Sequence, residues 1–381
     1  MKRARRIWLT VHLCLGLSLG TVFALLGVTG SVLAFYPEID RALNPALRPS
    51  MTGMPFAPLV SVQAVADTVK ALYPEREGGW RIELPLDANT PVTVRYAHPA
   101  EREDRSFSPL MITLDPATLQ PGSQRVWGDY FVTFVYDLHY TLLFDKPGKV
   151  AVGILGLLML VSLLSGLWLW WPSRKRWRAA LAPVLRDGAV RRIYDLHALG
   201  GAYGVVLLIV LALTGAGLAL PEQTRSLLAG AVMLKPMPDF AGYAAPELPI
   251  IDLDDALAIA RERFPQAEPR WIDVPGRDGG VLTIRLYQPG EPGRRFPKTK
   301  LWLDAYTGEI VGVWDPAENA AGNTMLDWLH PLHNGEAFGL TGRWLACIAG
   351  LIPLLLFVTG YIRWRQKRRA KAKHHASQPS A

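Results

Sequence analysis

The 381-residue chain is poor in cysteine, and it contains four long stretches without any charged residue. Its two cysteines, Cys14 and Cys347, both fall inside those uncharged stretches. The segments between the stretches therefore contain no disulfide, even in a compartment that would allow one, and must fold around apolar cores. We interpret both cysteines as buried packing residues.

Lys, Arg, Asp and Glu are absent from residues 7–35, 150–171, 196–220 and 344–362. Each stretch has about the ~20 apolar residues that a helix needs to cross the ~30 Å hydrocarbon core of a membrane. The first stretch follows a basic start but is longer than the ~7–15-residue core of a signal peptide, which predicts that it is retained. The sequence thus predicts four transmembrane helices.

The formal net charge of +8 comes from basic residues that flank the apolar stretches. These residues are Lys2, Arg3, Arg5 and Arg6 at the start, Arg174, Lys175, Arg176, Arg178, Arg186, Arg191 and Arg192 in the middle, and Arg363, Arg365, Lys367, Arg368, Arg369, Lys371 and Lys373 near the end. The positive-inside rule places both termini and the middle loop in the bacterial cytoplasm, and the two long segments in the periplasm. The clusters indicate topology and lipid contact, and no nucleic-acid partner is predicted.

The order of segments predicts a tandem duplication with a membrane α+β fold. The predicted parts are a tail and first helix (1–35), an outside domain (36–149), a second helix (150–172), a cytoplasmic loop (173–194), a third helix (195–220), a second outside domain (221–343), a fourth helix (344–362) and a basic tail (363–381). Each outside domain contains an amphipathic helix, 62–73 or 253–264, which a proline ends. A tryptophan follows at the same distance in each copy, and then alternating strands, so we expect each helix to pack on a short antiparallel sheet.

Four histidines recur in register with Thr-Gly or Ser-Gly pairs. The interval from His12 to Gly30 equals that from His197 to Gly215. At ~1.5 Å per residue this interval is about 27 Å, so both histidines should lie near the cytoplasmic face. The intervals from His139 to the glycines at 148 and 166 equal those from His333 to the glycines at 342 and 360, which places these two near the outer face in interfacial segments. The halves therefore predict two histidine pairs, His12 with His197 and His139 with His333.

Two imidazoles fill both axial positions of a haem iron, so the four histidines predict two b-type haems. Gly16 and Gly201, one helical turn after His12 and His197, would leave room on the same helix face for a flat macrocycle. A zinc or copper site would need ligands that converge, which two separate pairs do not supply. Simple helix-packing histidines are the other alternative, and His330 competes with His333 as the fourth ligand.

Several motifs resemble the PepSY-associated transmembrane proteins. They are the Asp-x-x-Thr-Gly ending at residues 304–308, its counterpart without glycine at 115–118, Leu138-His139, the Ser-Gly-Leu-Trp-Leu-Trp-Trp run at 165–171, the Leu-His-Asn-Gly run at 332–335, and Thr359-Gly360. Within that family the chain is most similar to inner-membrane ferric-siderophore reductases of the FoxB type. The resemblance implies two PepSY-like periplasmic domains on a four-helix bundle, and a haem-dependent reductase that releases Fe(II) from a ferric siderophore.

The expected reaction carries electrons from the His12–His197 pair to the His139–His333 pair and then to the chelate. No flavin or nicotinamide motif is present, so the donor could be a quinol or a cytoplasmic reductase. The alternative function is a membrane regulator or binding protein without redox activity, because PepSY modules elsewhere are thought to inhibit peptidases. A transporter is a weaker alternative. The basic stretch Arg294, Arg295, Lys298 and Lys300 is interpreted as a solvated loop rather than an anion site.

Overall fold

The computed structural model of the chain describes residues 2–47, 61–182, 188–238, 240, 248–276 and 279–376. The chain divides into two compact units. Unit 1 contains Met1–Phe35, Val135–Thr224 and Leu329–Ala381, and unit 2 contains Tyr36–Phe134 and Arg225–Trp328. Arg186 of the predicted basic loop and the end of the tail after residue 376 lie outside the described residues.

The helices of the described residues are, in chain order, α1 (Lys2–Ser18), α2 (Gly20–Leu33), α3 (Tyr36–Leu43), α4 (Val62–Leu72), α5 (Phe131–Thr141), α6 (Asp145–Trp170), α7 (Trp177–Leu181), α8 (Ala189–Ala219), α9 (Pro221–Ala229), α10 (Leu253–Arg263), α11 (Ala321–His333) and α12 (Gly339–Ala376). The strands are β1 (Trp80–Glu83), β2 (Val92–Tyr96), β3 (Leu110–Leu114), β4 (Pro121–Val126), β5 (Glu268–Val274), β6 (Val281–Tyr287), β7 (Thr299–Asp304) and β8 (Ile310–Trp314). The basic tail continues α12 as helix.

By length and composition, α6, α8 and α12 can each cross a membrane, and α1 with α2 can form a fourth, broken span. The first span was predicted as one continuous helix, but α1 and α2 meet at an angle of 62°. Serine and glycine flank the break, where kinks commonly occur. Ser18 Oγ donates to the Cys14 carbonyl (2.6 Å), and a Cβ on Gly20 would lie 2.4 Å from the Phe357 ring. The bend lets α2 approach α12 closely.

Small residues bring the helices of unit 1 together. α2 packs on α12, α12 on α8, α8 on α6, and α6 on α1. At the α2–α12 crossing a Cβ on Gly27 would meet the Gly350 carbonyl at 2.2 Å, and Ser31 Oγ donates to the Cys347 carbonyl at 2.7 Å. Close backbone approach of this kind is how helices associate in lipid. Cys14 was predicted to be buried, but it is exposed, because α1 packs only one face against its neighbours.

Unit 2 is built around one eight-stranded antiparallel sheet with the order β4-β3-β2-β1-β5-β6-β7-β8. Two separate sheets were predicted, and that prediction is wrong because β1 pairs with β5. Joining the edges removes two exposed strand edges, which are prone to aggregation. α4 and α10 share one apolar core with the inner face of the sheet, including Ile82, Ile272 and Leu301.

The two Asp-x-x-Thr motifs form turns after β3 and β7. Asp115 Oδ1 accepts from the backbone N–H of Ala117 and Thr118, and Asp304 Oδ1 accepts from those of Tyr306 and Thr307. The next residue is left-handed in both copies, with φ of 57° at Leu119 and 76° at Gly308. The first copy therefore forms the same turn without the glycine.

Equal spacing misleads at the two tryptophans that follow the helix-ending prolines. Trp80 packs on the core side, beside Tyr73 and Tyr96. Trp271 lies on the opposite face of the sheet, between Arg81 and Arg285. A register irregularity in β5 between residues 269 and 271 moves its side chain to the other face.

Candidate functional site

The structure brings His12 of α1 and His197 of α8 together. Their ring centroids lie 6.1 Å apart, with an angle of 80° between the ring planes. The two residues lie far apart in sequence and belong to the two halves of the predicted duplication. They form the first candidate pair.

His139 near the end of α5 and His333 at the end of α11 form the second pair. Their ring centroids are also 6.1 Å apart, with an interplanar angle of 44°. The structure selects His333 over His330 as the partner of His139, since His330 instead contacts the side-chain amide of Asn334 at 3.4 Å. All four predicted site residues thus lie in unit 1 as two pairs.

The Nδ1 atom of every ring is held by a hydroxyl on a neighbouring helix. The contacts are His12 with Ser165 (3.2 Å), His139 with Thr29 (3.0 Å), His197 with Thr359 (3.1 Å) and His333 with Thr214 (3.0 Å). Each ring also contacts a backbone carbonyl of that helix. The carbonyls of Ser162, Leu356 and Leu211 lie 3.1 Å from His12, His197 and His333, and His139 contacts that of Leu26. Each of these carbonyls lies one helical turn before the glycine of a Thr-Gly or Ser-Gly pair.

These contacts fix which ring nitrogen carries the proton. Each hydroxyl donates its own hydrogen to a carbonyl of its helix, as Thr29 does to Leu25 (2.8 Å), Ser165 to Ser162 (2.8 Å), Thr214 to Val210 (2.7 Å) and Thr359 to Leu355 (2.6 Å). The hydroxyl must then accept from Nδ1–H. A neutral imidazole protonated on Nδ1 has its lone pair on Nε2, which is the atom available to a metal.

The glycine after each hydroxyl residue leaves room for the histidine ring. A Cβ on Gly166, Gly30, Gly360 or Gly215 would lie 2.9, 3.0, 3.1 or 2.8 Å from Cε1 of His12, His139, His197 or His333, respectively. The contacts in the first half of the chain are reciprocal. His12 of α1 lies on Gly166 of α6, and His139, which follows α2 in the chain and precedes α6, lies on Gly30 of α2. The recurrence of the Thr-Gly and Ser-Gly pairs is visible in the sequence, but the contact of each pair with a histidine ring was not predicted.

The space beside the His12–His197 pair is open at Gly16 and Gly201, as predicted. A Cβ on Gly16 would meet nothing within 4 Å, and one on Gly201 would meet only a Leu356 methyl group at 3.8 Å. These glycines are therefore not required by helix packing. They differ from Gly204, also on α8, whose Cβ would lie 2.5 Å from Cδ1 of Ile352.

The donor set and its spacing fit an iron held by two imidazoles. With metal–nitrogen bonds of about 2 Å and a ring radius of about 1 Å, two imidazoles on one metal have centroids about 6 Å apart. Both pairs have that separation. No group of three or more His, Cys, Asp or Glu residues converges to hold a metal ion in the described ranges. A metal at either pair would therefore have two histidine ligands.

Residues 9–367 match the family described as the PepSY-associated TM region, so the chain belongs to that family. An uncharacterized protein of Pseudomonas aeruginosa is 28% identical to it over 255 residues. That alignment covers 61% of this chain and 62% of the relative, and the relative's name assigns no activity.

Proposed function

Proceeding from membership of this family, we propose that the chain is a dihaem electron-transfer protein that reduces a ferric siderophore. In this proposal it is a tandem duplication in the bacterial inner membrane, with a four-helix bundle, two PepSY-like domains facing the periplasm and both termini in the cytoplasm. The observation that carries the proposal is the identical 6.1 Å ring separation in two pairs of histidines that lie far apart in sequence.

His12 and His197 would hold one haem b, and His139 and His333 would hold the other. When bound, each haem supplies a one-electron Fe(III)/Fe(II) couple. With two histidine ligands each, the haems would supply electron transfer rather than binding of a substrate at the metal. The hydroxyls of Thr29, Ser165, Thr214 and Thr359 orient the rings and keep Nε2 unprotonated.

Reduction would release iron because hydroxamate and similar hard oxygen donors bind Fe(III) far better than the softer Fe(II). The sequence provides no flavin or nicotinamide site, so the proposed electron donor is a quinol or a separate cytoplasmic reductase. The protein's contribution is to place and tune the two redox centres across the bilayer.

A redox difference spectrum with haem quantification tests the proposal. Wild-type protein purified in detergent should contain two haems per chain. The variants His12→Ala and His139→Ala should each retain one haem, and the double variant should have neither haem nor ferric-chelate reduction. A colourless wild-type protein, or chelate reduction that persists in the double variant, would overturn the proposal. A colourless protein that binds a peptidase would instead support the regulator alternative.

A further inference from the structure

The outer face of the sheet in unit 2, opposite the face under α4 and α10, places two cations directly opposite each other. Arg285 on β6 pairs in register with Lys300 on β7. Like charges at directly opposite positions of an antiparallel pair repel and destabilise the sheet. A natural sequence that breaks this local rule commonly does so at a functional site.

One carboxylate pairs with two of the cations on this face. Asp273 on β5 accepts from Nε of Arg81 and, at 3.1 Å, from Nε of Arg285. The ammonium group of Lys300 contacts the sulfur of Met237 at 3.3 Å, which is a weak acceptor. Among the residues that the structure describes, no carboxylate forms a salt bridge with Lys300. We call Arg81, Asp273, Arg285 and Lys300 the cationic cluster.

Aromatic rings hold the cationic cluster in place. The guanidinium carbons of Arg81 and Arg285 lie 4.7 Å and 5.2 Å, respectively, from the centroid of the Trp271 ring. The edge of Phe296 packs on Trp271, with centroids 5.6 Å apart and planes at 81°. Stacking occupies the guanidinium faces but leaves N–H donors at their edges for an oxygen ligand. The side chains of Arg81 and Arg285 are 29% and 24% exposed, so a ligand can reach them.

The loop before β7 is ordered by a partly buried carboxylate. Glu291 accepts from the backbone N–H of Lys298 (2.7 Å) and Thr299 (3.1 Å), and from the Thr299 hydroxyl (2.6 Å). The stretch that was interpreted as a solvated loop therefore has a fixed path that leads into Lys300. In the same stretch Arg294 pairs with Glu268 and lies outside the cationic cluster.

Burial and the neighbouring cations Arg285 and Lys298 lower the pKa of Lys300 to about 8. The carboxylates that also act on it, Asp273 and Asp327, only partly oppose this effect. An anion placed between Arg285 and Lys300 would relieve the repulsion and restore the charged lysine.

We infer that the cationic cluster binds the carboxylate oxygens of an anionic ligand, and, resting on the proposed function, that the ferric substrate is a negatively charged, carboxylate-bearing chelate. Arg81 and Arg285 offer planar donors that suit carboxylates, and Lys300 adds a mobile point charge. A neutral chelate built only of hydroxamates carries no negative charge to relieve the repulsion between Arg285 and Lys300.

Binding of gallium(III) chelates tests this inference, because gallium(III) copies the charge of Fe(III) but is not reduced. The full chain in a neutral detergent is equilibrated with anionic gallium(III) citrate, with the neutral gallium(III) complex of three acetohydroxamates, or with citrate alone, and bound ligand is measured by calorimetry. We expect gallium(III) citrate to bind at least about tenfold more tightly than the neutral complex, and citrate alone, which offers the same carboxylates, to compete with it.

Lys300→Met and Arg285→Met should weaken gallium(III) citrate binding by about tenfold each, while Lys300→Arg and the matched control Arg294→Met should not change it. Equal binding of the two chelates, or unchanged binding in both methionine variants, would overturn the inference. Because the assay involves no reduction, a failure here leaves the haem proposal intact. A chain without haem that still binds gallium(III) citrate would refute only the reductase.

Discussion

The ring of His12 lies so close to the backbone of Gly166 that a Cβ there would be 2.9 Å from Cε1 of the ring. The hydroxyl of the preceding Ser165 contacts Nδ1 of the same ring at 3.2 Å. A two-residue Ser-Gly element on α6 thus provides both the space and the hydrogen-bond acceptor for a histidine of α1. The same arrangement recurs at His139, His197 and His333.

Gly166→Ala should disturb only the His12–His197 pair. The added methyl group pushes the His12 ring away from its seat, and a small displacement of an axial ligand weakens iron binding strongly. We expect about one haem per chain, with the remaining one held by His139 and His333. Gly30→Ala is the matched variant and should remove the other haem instead. If each variant kept both haems with unchanged spectra, the glycines would have no role in seating the ligands.

Gly16→Leu separates haem binding from helix stability. The new side chain enters open space and has better helix propensity than glycine, so thermal unfolding of unit 1 should be unchanged or slightly improved by up to about 1 kcal/mol. The same side chain would fill the volume expected for the macrocycle beside His12. Haem quantification should therefore show a loss at the His12–His197 pair without unfolding. Full occupancy in this variant would mean that no macrocycle lies along that face.

Thr214→Val removes a hydrogen bond from His333 but keeps the shape of the side chain. The ring retains the Leu211 carbonyl at 3.1 Å, so its orientation should loosen without being lost. Loss of such an outer contact commonly lowers metal affinity by about tenfold or more, and a less basic imidazole should raise the midpoint potential. Redox titration should detect this change for one of the two haems. Thr214→Ser, which keeps the hydroxyl, should behave as wild type.

The histidine pairs could be predicted from sequence because a helix converts equal spacing into equal depth. The shared interval from histidine to glycine therefore placed His12 and His197 at one level, and the structure brings their rings together. The hydroxyl partners could not be predicted in the same way. Ser165 and Thr29 lie 153 and 110 residues from the histidines that they contact, and nothing local in the sequence encodes such a contact.

Strand registers were the other limit of prediction. Alternation identified β6 and β7, but the merging of two sheets depends on the pairing of β1 with β5, which belong to different halves of the chain. A single irregularity in β5 then moved Trp271 to the outer face, beside Arg285. Spacing alone had matched Trp271 with Trp80, because an extra residue in a β-bulge leaves the sequence spacing unchanged while it moves the following side chains to the other face.

Arg270→Met should destabilise unit 2 at the seam between β1 and β5. Arg270 is 4% exposed. Its guanidinium donates to the carbonyls of Pro85 (2.7 Å) and Leu84 (3.0 Å), and burial lowers its pKa to about 10. Methionine leaves both carbonyls without these donors, at a cost of about 2–4 kcal/mol. Urea unfolding followed by tryptophan fluorescence should shift to lower urea, while haem absorbance stays unchanged. Arg270→Lys should lower the stability of unit 2 less than Arg270→Met does. An equal loss of stability in both variants would contradict the role of the carbonyl contacts.

Anion binding at Lys300 should weaken as the pH rises through about 8. The pKa of the lysine in the free protein is lowered to about 8, so below that value the side chain is charged and attracts an anion, and above it the charge is lost. The charged groups that act on the lysine from the neighbouring elements are Arg285, Lys298, Asp273 and Asp327. The folding stability of the protein without a bound anion should change in the opposite direction. The folded state holds the Lys300 proton less tightly than the unfolded state does, so the free energy of unfolding should increase from about pH 8 towards the ordinary pKa of lysine.

Gallium(III) citrate binding measured from pH 7 to pH 9.5 should therefore fall in wild type and stay level in Lys300→Arg, because arginine remains charged throughout. The arginine variant keeps the positive charge and the neighbouring groups, so it isolates the titration of the lysine from any other change with pH. A parallel fall in both proteins would show that another group controls the affinity.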